Sequence, residues 1–270
     1  MSTIFEWDGK DIAQKINDCE INPSTPFMYK YMPKDGLILE AGCGLGQFVK
    51  FLSDKGYSIK GIEINEDAVR AANKAFPNLD IISGDVAKLP YPDAMFDGVL
   101  SLGVVEHFIE GPKEALKEMF RVMKPGGTAL ICVPDFNKLR QFKHLFGLDK
   151  ADFYLRQIYY KLKGIKVNKI RQSKEVRINY LYNRWPAAGD FYEYRFKHNQ
   201  FDSLLEKAGF KIIVRAPIDQ LGGMYHEFGG LLVPQKSLIT PGPIVKFFDW
   251  LFSKIPYFHN HMYLCIIKKP

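Results

Sequence analysis

Three glycines at alternate positions, Gly42, Gly44 and Gly46, follow directly on Glu40 and Ala41. Without a Cβ, a glycine backbone can turn sharply and approach a ligand where a side chain would collide. Glu63 stands 21 residues after Gly42. An α/β nucleotide site places a carboxylate there, which accepts hydrogen bonds from both ribose hydroxyls. Ser83-Gly84-Asp85-Val86 adds a second acid at a turn, and Glu106-His107 adds an imidazole whose neutral form accepts a proton near pH 7. The dinucleotide fingerprint G-x-G-x-x-G requires glycine at position 47, where this chain has Gln47, so a nicotinamide oxidoreductase is disfavoured.

These residues need strands and helices to hold them, and periodicity supplies both. Leu37 to Ala41 is a short apolar run ended by glycines, followed by a helix from Gln47 to Leu52 that stops at Gly56. Ser58 to Ile64 reads as a second strand, and Asn65 caps a helix from Glu66 to Ala75, with Glu66 and Asp67 in its positive first turn. Asp80 to Ser83, Phe96 to Leu102 and Thr128 to Val133 read as strands three to five. The last follows a helix from Pro112 to Met123 and a turn Lys124-Pro125-Gly126-Gly127. Strands alternating with helical crossovers imply a parallel sheet covered on both faces. A helix from about Asn199 to Lys207, a strand Lys211 to Val214 and a strand Met262 to Ile267 follow, with an irregular Gly/Pro-rich stretch between the two strands.

The 270 residues are 47% apolar and 25% charged, which excludes disordered and fibrous classes. No uncharged apolar run reaches a membrane span and the N-terminus shows no apolar leader core, so the chain is expected to be cytoplasmic. Cys19, Cys43, Cys132 and Cys265 form no C-x-x-C pair, which points to reduced thiols and to no metal site. The net charge of +7 is local: Phe136 to Gln200 holds 15 Lys and Arg against 5 Asp and Glu, interleaved with 14 aromatics such as Tyr154, Tyr160, Trp185 and Tyr194. Such a segment suits an anionic small molecule, nucleic acid or an acidic membrane surface, or is a solvated face over an aromatic core.

The series Glu40-Ala41-Gly42-Cys43-Gly44-Leu45-Gly46, Glu63, Ser83-Gly84-Asp85-Val86, Phe96-Asp97-Gly98-Val99-Leu100, Val105-Glu106-His107-Phe108 and Met123-Lys124-Pro125-Gly126-Gly127 resembles the class I S-adenosylmethionine-dependent methyltransferases. The likeness is to their small-molecule branch, which includes quinone-biosynthesis enzymes. The resemblance implies a Rossmann-like doubly wound α/β sheet of seven strands, mostly parallel. In it Met262 to Ile267 inserts antiparallel between Thr128 to Val133 and Lys211 to Val214, and the basic aromatic segment follows strand five. It implies S-adenosyl-L-methionine as cofactor. Backbone at Gly42, Cys43, Gly44 and Gly46 would face the methionine moiety, with Glu40 orienting its ammonium and Glu63 and Ile64 at the ribose. Asp85 and Val86 would frame the adenine, and Leu102 and Gly103 would flank the sulfonium. His107 is the candidate general base, with His226, Glu227, His259 and His261 as remoter ones. Tyr160 and Tyr194 either line an acceptor pocket or fill the core.

The chain accordingly divides into an N-terminal helical segment (1–36), a cofactor-binding core (37–135), a basic aromatic lid or subdomain (136–197) and a C-terminal completion of the sheet (198–270). The Asn/Asp-Pro-Pro-aromatic tetrapeptide of planar-amine methylators is absent, since Ser101-Leu102-Gly103-Val104 stands in its place. The expected reaction is therefore methyl transfer to oxygen or carbon of a small, anionic or amphiphilic acceptor, with no nucleic acid partner and the oligomeric state open. Alternatives are an RNA methyltransferase and a cofactor-binding protein without turnover. Ile244, Phe247, Phe248 and Leu251 share one face of a helix spanning Pro243 to Lys254, which is either a core helix or a peripheral membrane contact.

Overall fold

Neighbouring residues of each strand enter opposite cores, and this alternation sets the layers. Ile38 joins one buried cluster and its neighbour Leu39 the other; near the far edge Leu264 and Cys265 divide the same way. The computed structural model describes residues 12–148, 158, 162, 181–182, 193–232 and 241–270, with the backbone alone at 181–182 and 229–232. Among them, strands β1 (Leu37–Ala41), β2 (Ser58–Glu63), β3 (Asp80–Ser83), β4 (Phe96–Leu102), β5 (Met123–Pro134), β8 (Lys211–Ile218) and β9 (Met262–Lys268) form one sheet in the order β3-β2-β1-β4-β5-β9-β8. The first five run parallel, and β9 lies antiparallel between β5 and β8. This is the expected topology. A separate hairpin pairs β6 (Leu181–Tyr182) with β7 (Glu193–Tyr194).

One face carries helices α1 (Ile12–Glu20), α2 (Thr25–Tyr31), α3 (Gln47–Asp54) and α4 (Glu66–Ala75), which bury Cys19, Met28, Phe51, Leu52 and Ala72 against the sheet. The N-terminal helices thus share the core of the sheet. The other face carries α5 (Lys113–Val122) and α7 (His198–Lys207), with Leu116, Met119, Phe201 and Leu205 fully buried. Asn65 caps α4 as expected, its side chain accepting from the N–H groups of Asp67 and Ala68.

Two sequence expectations need correction. Lys124 to Gly127 is no free turn but part of β5. The register shifts between Phe96 and Gly98, Gly126 takes a φ of +78°, and Lys269 exchanges backbone hydrogen bonds with Gly126 and Gly127, so the segment is a bulge within the sheet. The Gly/Pro-rich stretch holds a helix where the sequence reads as irregular, α8 (Gln220–Leu232), ahead of the expected helix, α9 (Pro243–Phe252). Of the basic aromatic segment, α6 (Lys138–Leu145) is described, its first turn capped by Asn137. Most of the remainder, including Tyr154, Tyr160 and Trp185, lies outside the described residues.

Candidate active site

The turn after β1 is tied to its neighbour strand. The N–H groups of Gly42 and Cys43 both donate to the carbonyl of Ile62, at 2.8 and 3.0 Å. Gly42 has a φ of +83°, and a Cβ there would stand 2.5 Å from Cγ2 of Val104, so the chain passes where only glycine fits. At the end of β2 the Glu63 carboxylate accepts from the Gly44 N–H through Oε2 and from the Asn65 N–H through Oε1, both at 2.9 Å. One side chain thereby fixes the glycine turn and the entry to α4.

Glu40 is 2% exposed, and its Oε2 has no hydrogen-bond partner among the described residues. Burial pushes its carboxyl well above the usual range, against a lowering by the Val49 backbone N–H in the first turn of α3. A buried carboxylate with an open oxygen is an incomplete ion site, suited to a cation that arrives with a ligand.

These groups open on a cavity of about 410 Å³ at the carboxyl ends of the parallel strands. Glu40, Gly42, Gly44, Glu63 and Ile64 form one wall, and Asp85 and Val86 another. Asp85 also closes its own turn by accepting from the Ala87 N–H at 2.8 Å. Leu102, Gly103 and His107 complete the far side; the imidazole is carried there by a single 3₁₀ turn, Val105–His107, whose last N–H donates to Val104.

Residues 39–131 match a family described as a methyltransferase domain. A probable S-adenosylmethionine-dependent methyltransferase of Mycolicibacterium smegmatis is 36% identical over 98 residues, 36% of this chain and 38% of that protein. A demethylmenaquinone methyltransferase of Renibacterium salmoninarum is 32% identical over 95 residues, 35% of this chain and 39% of that one. The chain thus matches about two fifths of the length of these curated relatives. The solved structure of a SAM-dependent methyltransferase from Methanosarcina mazei shares the fold, with a TM-score of 0.59 at 19% identity over 90% of this chain and 97% of that one.

Within residues 39–131, two of the residues expected at the cofactor do not line the cavity. Cys43 turns into the core between α3 and β2, where its Sγ would stand 2.7 Å from a Cβ on Gly61, and Gly46 packs under Ile81. From outside the domain come lining residues that local motifs do not announce. Asn22 and Ser24 reach in from the joint between α1 and α2, Glu193 from β7, and Asp219 from the link between β8 and α8. Asp219 sits at a φ of +59° and caps α8 by accepting the Gly222 N–H at 3.0 Å. Asp-x-x-Gly ahead of an apolar run was its only sequence signal.

The far end of the cavity is therefore acidic, and among the described residues no Lys or Arg lines it. Three of the described basic side chains from the segment expected to meet an anionic ligand are engaged elsewhere. Arg140 and Lys143 of α6 hold Glu227, at 2.6 and 2.9 Å, and Arg195 faces Glu193 at 3.3 Å. The remoter base candidates stay in the same outlying shell: His261 contacts Arg140 and stacks on His226, while His259 pairs with Asp249. Tyr194 is fully buried and donates its hydroxyl to the carbonyl of Ile109, so it fills the core.

Proposed function

We propose that the chain transfers a methyl group from S-adenosyl-L-methionine to a small, amphiphilic acceptor through oxygen or carbon. The observation that carries this reading is the buried Glu40, with its open Oε2, beside the glycine turn that Glu63 braces. A cofactor with an ammonium group and a ribose fits this arrangement, Glu40 taking the ammonium and Glu63 the ribose hydroxyls. Asp85 and Val86 would hold the adenine, and the backbone at Leu102 and Gly103 would border the sulfur. When bound, the cofactor supplies a methyl already activated on a positively charged sulfur.

The protein's remaining tasks are alignment and proton removal. His107 lines the cavity with its imidazole mostly sheltered and is the group that accepts the acceptor's proton. Glu106 beside it is buried, and desolvation pushes its carboxyl well above the usual range. Among the described residues no Lys or Arg lines the cavity, which favours a neutral or cationic reacting end. The same lining offers RNA phosphates no cation among the described residues. The demethylmenaquinone relative is named for a quinone acceptor, which supports the amphiphilic class.

Calorimetry with S-adenosylhomocysteine, followed by transfer of labelled methyl to a panel of quinols, phenols and amines, tests the reading. Micromolar binding and turnover that falls in His107→Gln are expected. Absence of S-adenosylhomocysteine binding overturns it.

A further inference from the structure

Helix α9 is apolar on nearly every side, its ten residues including only two charged ones, Lys246 and Asp249. Such a helix is ordinarily enclosed by protein or lipid. Here a single side is enclosed: Val245 is buried against Met224 of α8, with Leu221, Tyr225 and Phe228 packed around them. On the opposite side Ile244 is 73% exposed, Trp250 57% and Phe247 55%, with Phe248, Leu251 and the following Ile255 also exposed. Phe247, Phe248 and Trp250 pack ring against ring and so form one continuous patch. The sequence grouped Ile244, Phe247, Phe248 and Leu251 on one face correctly, and that face points outward.

We propose that this outer face of α9 docks the protein on an anionic bilayer surface. Charge at the patch decides for lipid. Asp249, the one carboxylate on the helix, is bound to the buried His259 at 2.9 Å. Among the described residues of α9 and the turn after it, the remaining charges are Lys246 and Lys254, and Lys254 lies over the Trp250 ring, 4.7 Å from its centre. Aromatic and branched side chains flanked by lysines are the composition of a helix lying in the headgroup layer, the rings at the acyl boundary and the ammonium groups among the phosphates. A helix of ten residues cannot cross the ~30 Å apolar layer, so the contact is with the surface. Because α8, on which α9 rests, begins at the cavity residue Asp219, docking holds the cavity close to the membrane. Access to an amphiphilic acceptor there rests on the function proposed above; the docking itself does not.

Co-sedimentation of the full chain with vesicles, without cofactor, tests this. The wild type is expected to bind mixed phosphatidylcholine and phosphatidylserine vesicles at low salt, and much less at high salt or with phosphatidylcholine alone. Phe247→Ser with Trp250→Ser should lower the partition coefficient about tenfold or more, and Lys246→Glu with Lys254→Glu should remove the preference for anionic lipid. All four side chains are exposed, so thermal unfolding should stay unchanged and confirm folding of the variants. A wild type that does not bind, variants that bind equally, or a dimer by light scattering that Phe247→Ser dissociates without any vesicle binding, would each overturn the proposal. None of these outcomes touches S-adenosylhomocysteine binding, so failure here is distinct from failure of the methyltransferase reading.

Discussion

The backbone N–H of Gly44 donates to Oε2 of Glu63 across 2.9 Å, so the acid assigned to the ribose is also the clamp on the glycine turn. Substituting it removes both roles at once. Glu63→Ala is expected to weaken S-adenosylhomocysteine binding by about ten- to a hundredfold, the equivalent of ~1.5–3 kcal/mol for a charge-assisted hydrogen bond. Glu63→Gln should not rescue it fully, because an amide NH₂ would face one of the two backbone donors. Isothermal titration of both variants decides it; unchanged affinity in both would remove Glu63 from the site.

Arg140 and Glu227 are 2% and 5% exposed and tie α6 to α8, with Arg140 also reaching the carbonyls of Asp135 and His261. Burial alone would raise the Glu227 carboxyl, but Arg140, Arg195 and Lys143 overcome it and bring it down to about 2. A depressed carboxyl stabilises the fold fully above its unfolded value near 4.5 and loses that contribution as pH falls towards about 2. Denaturant unfolding of the wild type should therefore weaken between those limits, and Glu227→Gln should lack this part of the slope. Arg140→Ala, which strands a buried carboxylate, is expected to cost about 3–5 kcal/mol.

Glu106 carries the opposite sign. Desolvation raises its carboxyl well above the usual 4.5, so the folded state holds its proton more tightly than the unfolded one. Its contribution to stability then falls as pH rises from about 4.5 towards the raised value. Glu106→Gln should gain stability over the wild type between pH 5 and pH 8, read from urea midpoints. An equal gap at both pH values would show that the carboxyl ionises freely.

All four cysteines are buried, and desolvation raises each thiol: Cys19 and Cys265 to about 12, Cys43 and Cys132 well above the ordinary 9.0. The thiolate is the reactive form. A disulfide-exchange reagent at pH 8 should therefore label none of them in the native protein within minutes and all of them in denaturant. Rapid native labelling of Cys132, the one that borders the cavity, would mean the site opens more widely than its walls suggest.

The first half of the chain was legible because its chemistry is local. Glu40, the glycine turn, Glu63 and Asp85 each sit at the end of the strand that presents them, so short motifs carried fold and site together. Helix α8 was not legible because Gly222, Gly223, Gly229 and Gly230 imitate a loop. Gly223 serves close approach: a Cβ there would strike the carbonyl of His259. Glu193 and Asp219 reach the cavity from strands and links far along the chain, and nothing near either residue marks it as a cavity wall. Of the lysines and arginines after β5, Arg140 and Lys143 are bound by Glu227, a pairing that composition does not show.

The position of β9 between β5 and β8 also dictates a timetable. As the chain leaves the ribosome, β1 to β5 can pair in turn, yet the open edge of β5 must wait for Met262–Lys268, which β8 also needs as its neighbour. Until then Thr128–Pro134 presents unpaired backbone groups and β8 has no partner in the sheet, the exposure that draws chaperones and invites misassembly. Synthesis of β1 to β5 is thus finished long before their sheet can close.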